Sequence, residues 1–391
     1  MKDVRIGLIG ATGWMGKTHA AVYASAPSIF GNEPARPVLE MVADATDELA
    51  SKAAAEYGAK RWTSDWREVV IDPDIDVVDI VTPNKMHKEM VIAALKAGKH
   101  VYCEKPLGRT ADETREMLAA ARDAGVITLV GHNYPHNPIH SVARDIISGG
   151  EIGELVNVRM SFNVDFLADK AVPFIWRCDA EEAGGGTVGD INVHVFSFTE
   201  YLIGPIAEVC SRLTTVVKER EVVDGATIGR KSSGGARKTR IVDTDDAVQM
   251  LALFQNGCTG IFDTSRVAHG HKITINYDIV GRLGSLSWTN DRLNELQHYS
   301  ANDAPDRGGF KRIETNPSHP YYGAYYPIGN IGMGYNDMKA IEVRELIQAV
   351  AGETVEVWPN FEIAHRIQRC VDATILSHQE RRWVNIEEIA D

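Results

Sequence analysis

Lys105 stands between Glu104 and Pro106, and Asp190 stands four residues before His194; these are the side chains whose types and spacing could move a proton. An amine at the end of a strand can hold a substrate hydroxyl or share its proton, and a following proline can lock the bend through a cis bond. A carboxylate beside an imidazole orients the ring and raises its basicity, as removal of a hydroxyl proton near neutral pH requires. After Gly184-Gly185-Gly186, a helix would put Asp190 and His194 one turn apart on one face. The alternation Ile191, Val193, Val195 also suits a strand, which would again leave both on one face. By local pattern alone, Asp190 is more often a first-turn helix residue and His194 a satisfied interior histidine. Thr82-Pro83-Asn84 with His87, and then Cys103-Glu104-Lys105-Pro106, fall at strand ends, the edge where doubly wound folds bind ligands. Simple exposure would also make such ends polar.

A second constellation binds rather than reacts. The run Val4 to Ile9 leads into Gly10-Ala11-Thr12-Gly13-Trp14-Met15-Gly16, and a helix is expected next. Glycines at 10, 13 and 16 permit a tight turn, close approach of a diphosphate and helix–strand contact, while the free N–H groups of the helix start attract the anion. The spacing G-x-x-G-x-x-G has one residue more than the common dinucleotide fingerprint. Asp44, closing Met41-Val42-Ala43, would accept hydrogen bonds from adenosine ribose hydroxyls, and residues 45–51 hold no Lys or Arg for a 2′-phosphate. NAD is therefore expected before NADP. The alternative for Asp44 is a cap on the helix expected from Asp47.

The elements that must position these residues alternate in the first third. Strands are expected over Val4–Ile9, Val38–Ala43, Val77–Val81, His100–Tyr102 and Thr128–Val130, with helices beginning near Met15, Asp47, Met86 and Ala111. This order calls for a parallel sheet covered on both faces. Beyond about Gly150 the period shortens to two, over Leu155–Phe166, Glu208–Val217, Ala247–Phe254, Thr259–Val267 and Thr274–Val280, as in an antiparallel sheet covered on one face. The fold class is α/β: a Rossmann-like doubly wound domain over 1–135, then an α+β domain over 136–391. Helices expected over Asp337–Ala351 and Phe361–Ser377 could pack on the second sheet or return to the first domain. Asp224–Arg240 reads as a solvated insertion. The stretch Ser300–Tyr335, with Tyr321, Tyr322, Tyr325 and Tyr326, reads as a lid or subunit contact or as a plain packed loop.

Composition narrows the function classes. In 391 residues, 41 Lys and Arg face 54 Asp and Glu, a net charge of −13 that repels phosphate backbones and anionic bilayers, so neither nucleic acid nor membrane is an expected partner. The charged opening Met1 to Arg5 is unlike a signal peptide and no run approaches the roughly 18 apolar residues of a membrane span. Five widely spaced cysteines, odd in number, suggest neither a disulfide framework nor a zinc knuckle. A cytoplasmic protein is expected. His132, His136 and His140 are spaced for a metal, but Pro135 and Pro138 break the helix that would align them, and no metal site is expected.

Taken together and in order, these motifs resemble the glucose–fructose oxidoreductase, inositol dehydrogenase and MocA family. The match includes Trp176-Arg177 before the glycines and Gly334-Tyr335-Asn336-Asp337 leading to Glu342; Ser64-Asp65-Trp66-Arg67 looks most like cyclitol and levoglucosan-type sugar dehydrogenases. The resemblance implies an NAD-dependent oxidoreductase acting on a secondary alcohol of a sugar, anhydrosugar or cyclitol. It assigns Lys105 to the reacting hydroxyl, His194 to acid–base catalysis and Asp190 to a neighbouring substrate contact. Thr82, Pro83, Asn84, His87, Glu104 and Lys105 would line the cofactor, joined by Gly10, Thr12, Gly13, Trp14, Met15, Gly16 and Asp44. Substrate contacts would come from Asn133, Tyr134, Trp176 and Arg177, and from His136 where many relatives carry an arginine. The implied second domain has a large, mainly antiparallel open sheet whose free face makes a homodimer or homotetramer. Rival readings are a hydrolase that retains NAD and oxidises its sugar transiently, and a non-catalytic NAD sensor.

Overall fold

The computed structural model describes residues 2–223, 225 and 238–390, so most of the Asp224–Arg240 insertion lies outside the described residues. The chain divides into two compact units. The first, residues 1–108, 112–138 and 316–365, carries a six-stranded parallel sheet in the order β3-β2-β1-β4-β5-β6. Its elements are β1 (Lys2–Ile9), α1 (Trp14–Phe30), β2 (Ala35–Ala43), α2 (Asp47–Tyr57), β3 (Arg61–Thr63), α3 (Trp66–Ile71), β4 (Val77–Ile80), α4 (Asn84–Lys96), β5 (His100–Cys103), α5 (Ala111–Ala124) and β6 (Thr128–Val130). Strand order reverses between β1 and β4, so the ends of both open at the switch point where such sheets take ligands. Alternation sorts the strands into two buried layers: Val4, Ile6, Leu8, Val77, Tyr102 and Leu129 on one face, Ile9, Val78, Ile80, Val101, Cys103 and Val130 on the other. Helix α2 opens on Thr46, whose Oγ1 accepts from Leu49 N–H, and ends on Gly58 in the left-handed region at φ 72°. Thr46, rather than Asp44, is thus the cap.

The second unit comprises residues 109–111, 139–315 and 366–391. After α6 (Pro138–Ser148) come β7 (Leu155–Asn163), α7 (Ala180–Ala183), α8 (Thr187–Asp190), α9 (Asn192–Leu202), β8 (Ile206–Thr214), β9 (Glu219–Glu221) and β10 (Thr239–Ile241). They are followed by β11 (Ala247–Phe254), β12 (Thr259–Ser265), β13 (Thr274–Gly281), β14 (Gly284–Thr289), β15 (Glu295–Ser300) and β16 (Lys311–Glu314). Then come α10 (Tyr322–Tyr325), α11 (Tyr335–Ala351), α12 (Phe361–Glu380) and β17 (Val384–Asn385). Nine strands pair in the order β16-β15-β14-β13-β7-β12-β11-β8-β17, antiparallel except for β7 with β12. Val248, Met250 and Ala252 are buried on one face, while Leu251 and Ile261, opposite each other on β11 and β12, are exposed on the other.

The sequence pattern overruns strand β8. Pairing with β11 ends at Thr214 because Asp246 Oδ2 accepts both Val216 and Val217 N–H, turning the chain away. Helix α11 belongs to the first unit, burying Ala340, Val343, Leu346 and Ile347 in the layer that also holds Val4 and Ile6. Tyr322 is fully buried there, its hydroxyl taking Ile331 N–H at 2.8 Å, and Phe30, Tyr321, Tyr325 and Tyr326 pack around it. Tyr322 and Met333 are thus buried anchors in the later part of the tyrosine-rich stretch, while residues 323, 324 and 327–330 are exposed. Among the described residues no helix is long and apolar enough to cross a membrane.

Candidate active site

At the end of β1 the chain turns at Gly10, whose φ of 93° lies in the left-handed region. A side chain on Gly16 would place Cβ 2.4 Å from Ala11 O, so α1 can approach the strand only with glycine there. Gly13 differs: a Cβ would meet nothing nearer than Gly10 O at 3.6 Å, so protein packing does not demand glycine, whereas an approaching ligand would. No side chain caps α1, and among the described residues the N–H groups of Trp14, Met15 and Gly16 have no acceptor. An uncapped 17-residue helix behind a bare turn fits a diphosphate. Asp44 adjoins the same turn: Oδ2 accepts Thr12 N–H at 2.7 Å and Thr12 Oγ1–H at 2.8 Å, and Oδ1 accepts Ala45 N–H. Trp14, 67% exposed, stacks on Tyr335 with ring centres 5.7 Å apart.

Lys105 follows β5, and its bond to Pro106 is cis. Two supports hold this bend. His87, fully buried on α4, sets Nδ1 2.9 Å from Pro106 O and Nε2 2.9 Å from Thr82 O, tying the bend to the Thr82-Pro83-Asn84 turn. Burial lowers its pKa, so a neutral ring donates to one carbonyl at a time. On the other side Glu104 turns inward. Its Oε1 takes Lys339 Nζ at 2.6 Å and lies 3.1 Å from His19 Nε2, while Oε2 accepts Lys105 N–H at 3.1 Å. Burial alone would raise the Glu104 carboxyl, but the charges of Lys339 and His19 hold it well below the usual range.

That cluster continues through the layer beside β4 and β5. His19 Nδ1 is 2.8 Å from Asp79 Oδ2, which also accepts Tyr23 O–H at 2.6 Å. Burial pulls His19 down, but Asp79 and Glu104 outweigh it and bring the pKa to about 9. Lys339 also reaches Glu342 at 3.0 Å and Tyr102 Oη at 3.1 Å, and the Tyr102 hydroxyl donates to Glu342 at 2.8 Å. His136 joins here: its Nε2 meets Trp358 O at 2.9 Å and its Nδ1 faces Glu345 at 3.5 Å. Burial lowers and the carboxylates raise it, leaving it above its ordinary value. Asn133 and Tyr134 are buried against Tyr335, through a 3.5 Å bond to its carbonyl and an edge-on ring contact respectively. Burial and the neighbouring Lys105 charge push His132 down to about 3, a neutral ring near the amine.

In the second unit the glycine run serves a cap. Gly186 abuts the Asp245 backbone so closely that a Cβ would fall 1.9 Å from Asp245 O. Asp245 then accepts Gly186 N–H and Val188 N–H, each at 2.9 Å, and fixes the start of α8. Helix, not strand, follows: α8 ends at Asp190, Ile191 lies between, and α9 carries His194, 6% exposed, with its ring 5.5 Å from Phe162. Arg177 donates to Asp190 Oδ2 at 3.1 Å and lies over Trp176 at 4.2 Å. The Arg177 carbonyl is in turn held by Arg266 at 3.0 Å, and Arg266 is paired with buried Asp246 at 3.0 Å.

The structure thus gathers Gly10, Thr12, Gly13, Trp14, Met15, Gly16 and Asp44 at one turn, and Thr82, Pro83, Asn84, His87, Glu104 and Lys105 around one bend. It gathers Trp176, Arg177, Asp190 and His194 around the α8–α9 junction. His87, Glu104 and His136 spend their polar atoms on interior partners. Sequence reasoning missed Lys339, His19, Asp79, Asp245 and Arg266; only the polar type of Asp79 within a buried strand marked any of them.

The turn, the open helix start and Asp44 define a dinucleotide-binding protein of the Rossmann class. Residues 4–132 match the oxidoreductase family profile with NAD-binding Rossmann fold, and residues 140–287 match the GFO/IDH/MocA C-terminal domain. The chain is 38% identical over 391 residues, 100% of both chains, to levoglucosan dehydrogenase of Pseudarthrobacter phenanthrenivorans. It is 26% identical over 98% of its length to inositol 2-dehydrogenase of Rhizobium meliloti, covering 99% of that chain. The solved complex of levoglucosan dehydrogenase with NADH and levoglucosan overlays with TM-score 0.91 and 38% identity, over 98% of this chain and 100% of that one. The chain belongs to the GFO/IDH/MocA oxidoreductase family and is an NAD-dependent enzyme.

Proposed function

We propose that the enzyme moves hydride between a secondary alcohol of a cyclitol, sugar or anhydrosugar and nicotinamide, with Lys105 and His194 assisting the proton. The observation that carries this is the full-length similarity to levoglucosan dehydrogenase. NAD, when bound, supplies the hydride acceptor. Lys105 binds the reacting hydroxyl and stabilises its developing negative charge; it extends from a bend held on both sides, which suits a group whose task is alignment. His194 takes the hydroxyl proton as general base, and Asp190, oriented by Arg177, contacts a neighbouring substrate hydroxyl. The exposed Leu251 and Ile261 on the open sheet face support assembly of copies through that face.

The test is a screen of levoglucosan, inositols and glucose with NAD and NADP, followed by Lys105→Met on the best substrate. Turnover should fall by about 10²-fold or more while NADH affinity stays within about threefold. Unchanged turnover removes Lys105 from the chemistry.

A further inference from the structure

We infer that Lys339 is a positioning residue for Lys105: through the Glu104 carboxylate it fixes the backbone from which the Lys105 amine extends, given the role just proposed for that amine. Lys339 is 1% exposed, and its ammonium spends its three donors on Glu104, Glu342 and Tyr102 at 2.6, 3.0 and 3.1 Å. Such a buried group is a poor source of stability, since apolar residues of similar volume commonly do as well. What it does achieve here is orientation. With Oε1 held by Lys339 and His19, the carboxylate of Glu104 can turn Oε2 only toward its neighbour's N–H, 3.1 Å away.

Room for this pair is reserved independently. A Cβ on Gly131 would lie 2.5 Å from Glu104 Oε1 and 2.7 Å from Lys339 Nζ. Gly131 has no positive φ, so its backbone would accept alanine, and the three nearest atoms that a Cβ would meet all belong to the ion pair. Gly131→Ala is therefore a wedge that separates the partners without deleting a charge.

The experiment uses Gly131→Ala and the charge-balanced pair Lys339→Met with Glu342→Gln, because Lys339→Met alone strands buried carboxylates and can fail to fold. Each is read by hydrogen exchange at the Lys105 amide, by kcat, by NADH affinity from fluorescence titration, and by combination with Lys105→Met. Exchange at Lys105 should rise at least tenfold without a general rise across β4 and β5, and kcat should fall tenfold or more with NADH affinity within threefold. In the Lys105→Met background neither change should slow turnover further. Intact Lys105 protection, or losses that multiply with that of Lys105→Met, overturns the inference. Lost protection with full turnover in Lys105→Met keeps the hold and instead refutes the catalytic reading of Lys105.

Discussion

Raising the pH through the alkaline range should unload His19. Its ring faces Asp79 at 2.8 Å and Glu104 at 3.1 Å, so the folded protein keeps the proton up to about pH 9, whereas the unfolded chain releases it near 6.5. Between those values the folded state holds a proton that the unfolded state has lost, so stability is complete below pH 6.5 and declines as pH rises. At 1.36 kcal/mol per pKa unit the whole displacement is worth about 3 kcal/mol, and about 2 to 3 kcal/mol of it falls between roughly pH 6.5 and 8.5. His136, also raised by carboxylates, adds a slope of the same sign, so the diagnostic quantity is a difference. Urea unfolding of the wild type and His19→Gln, followed by tryptophan fluorescence across this window, supplies it. The variant should be the less stable at pH 6.5, and the two curves should converge toward pH 9. Parallel curves would show that the imidazolium is not held by this carboxylate pair.

Two further outcomes follow from other features. Asp44→Ala removes the carboxylate that faces Thr12 and the expected ribose position, so NADH should bind about tenfold more weakly while NADPH binding does not weaken; equal losses for both would detach Asp44 from cofactor choice. Arg266→Met leaves Asp246 buried without its ion-pair partner and should cost about 3–5 kcal/mol in chemical unfolding; a loss below about 1 kcal/mol would mean that the buried pair is dispensable.

How far the sequence could be read varies with the kind of signal. The parallel strands were legible because burial on both faces makes them continuous apolar runs, and Thr128–Val130 appears with the expected bounds. Strand β3 is three residues with Trp62 exposed, too short and too mixed to show a period, and β16 at the sheet edge and β15 beside it are polar strands that look like loop. The motif residues were visible as types, but their directions were not. Glu104 reads as a strand-end carboxylate beside a ligand, yet turns inward because Lys339 arrives from 235 residues further on. Lys339 and Glu342 have the spacing of a surface pair on a helix, and packing of α11 against α1, β1 and β2, with Tyr102 of β5 beside them, buries them. The triple glycine was legible only as the lead-in to the segment carrying Asp190 and His194; Gly186 is the clearance needed by Asp245, whose own surroundings in sequence gave no sign of it.

The first unit takes α11 from beyond all but the last strand of the nine-stranded sheet, since residues 316–365 complete it. A ribosome therefore delivers Glu104 and Asp79 long before the ammonium that neutralises Glu104, and before the apolar side of α11 that roofs the same layer. Until that late segment emerges, Asp79 and Glu104 have only the single charge of His19 between them, beside an apolar layer that α11 has yet to cover. Vectorial synthesis thus cannot finish this nucleotide-binding half until residues 316–365 have emerged.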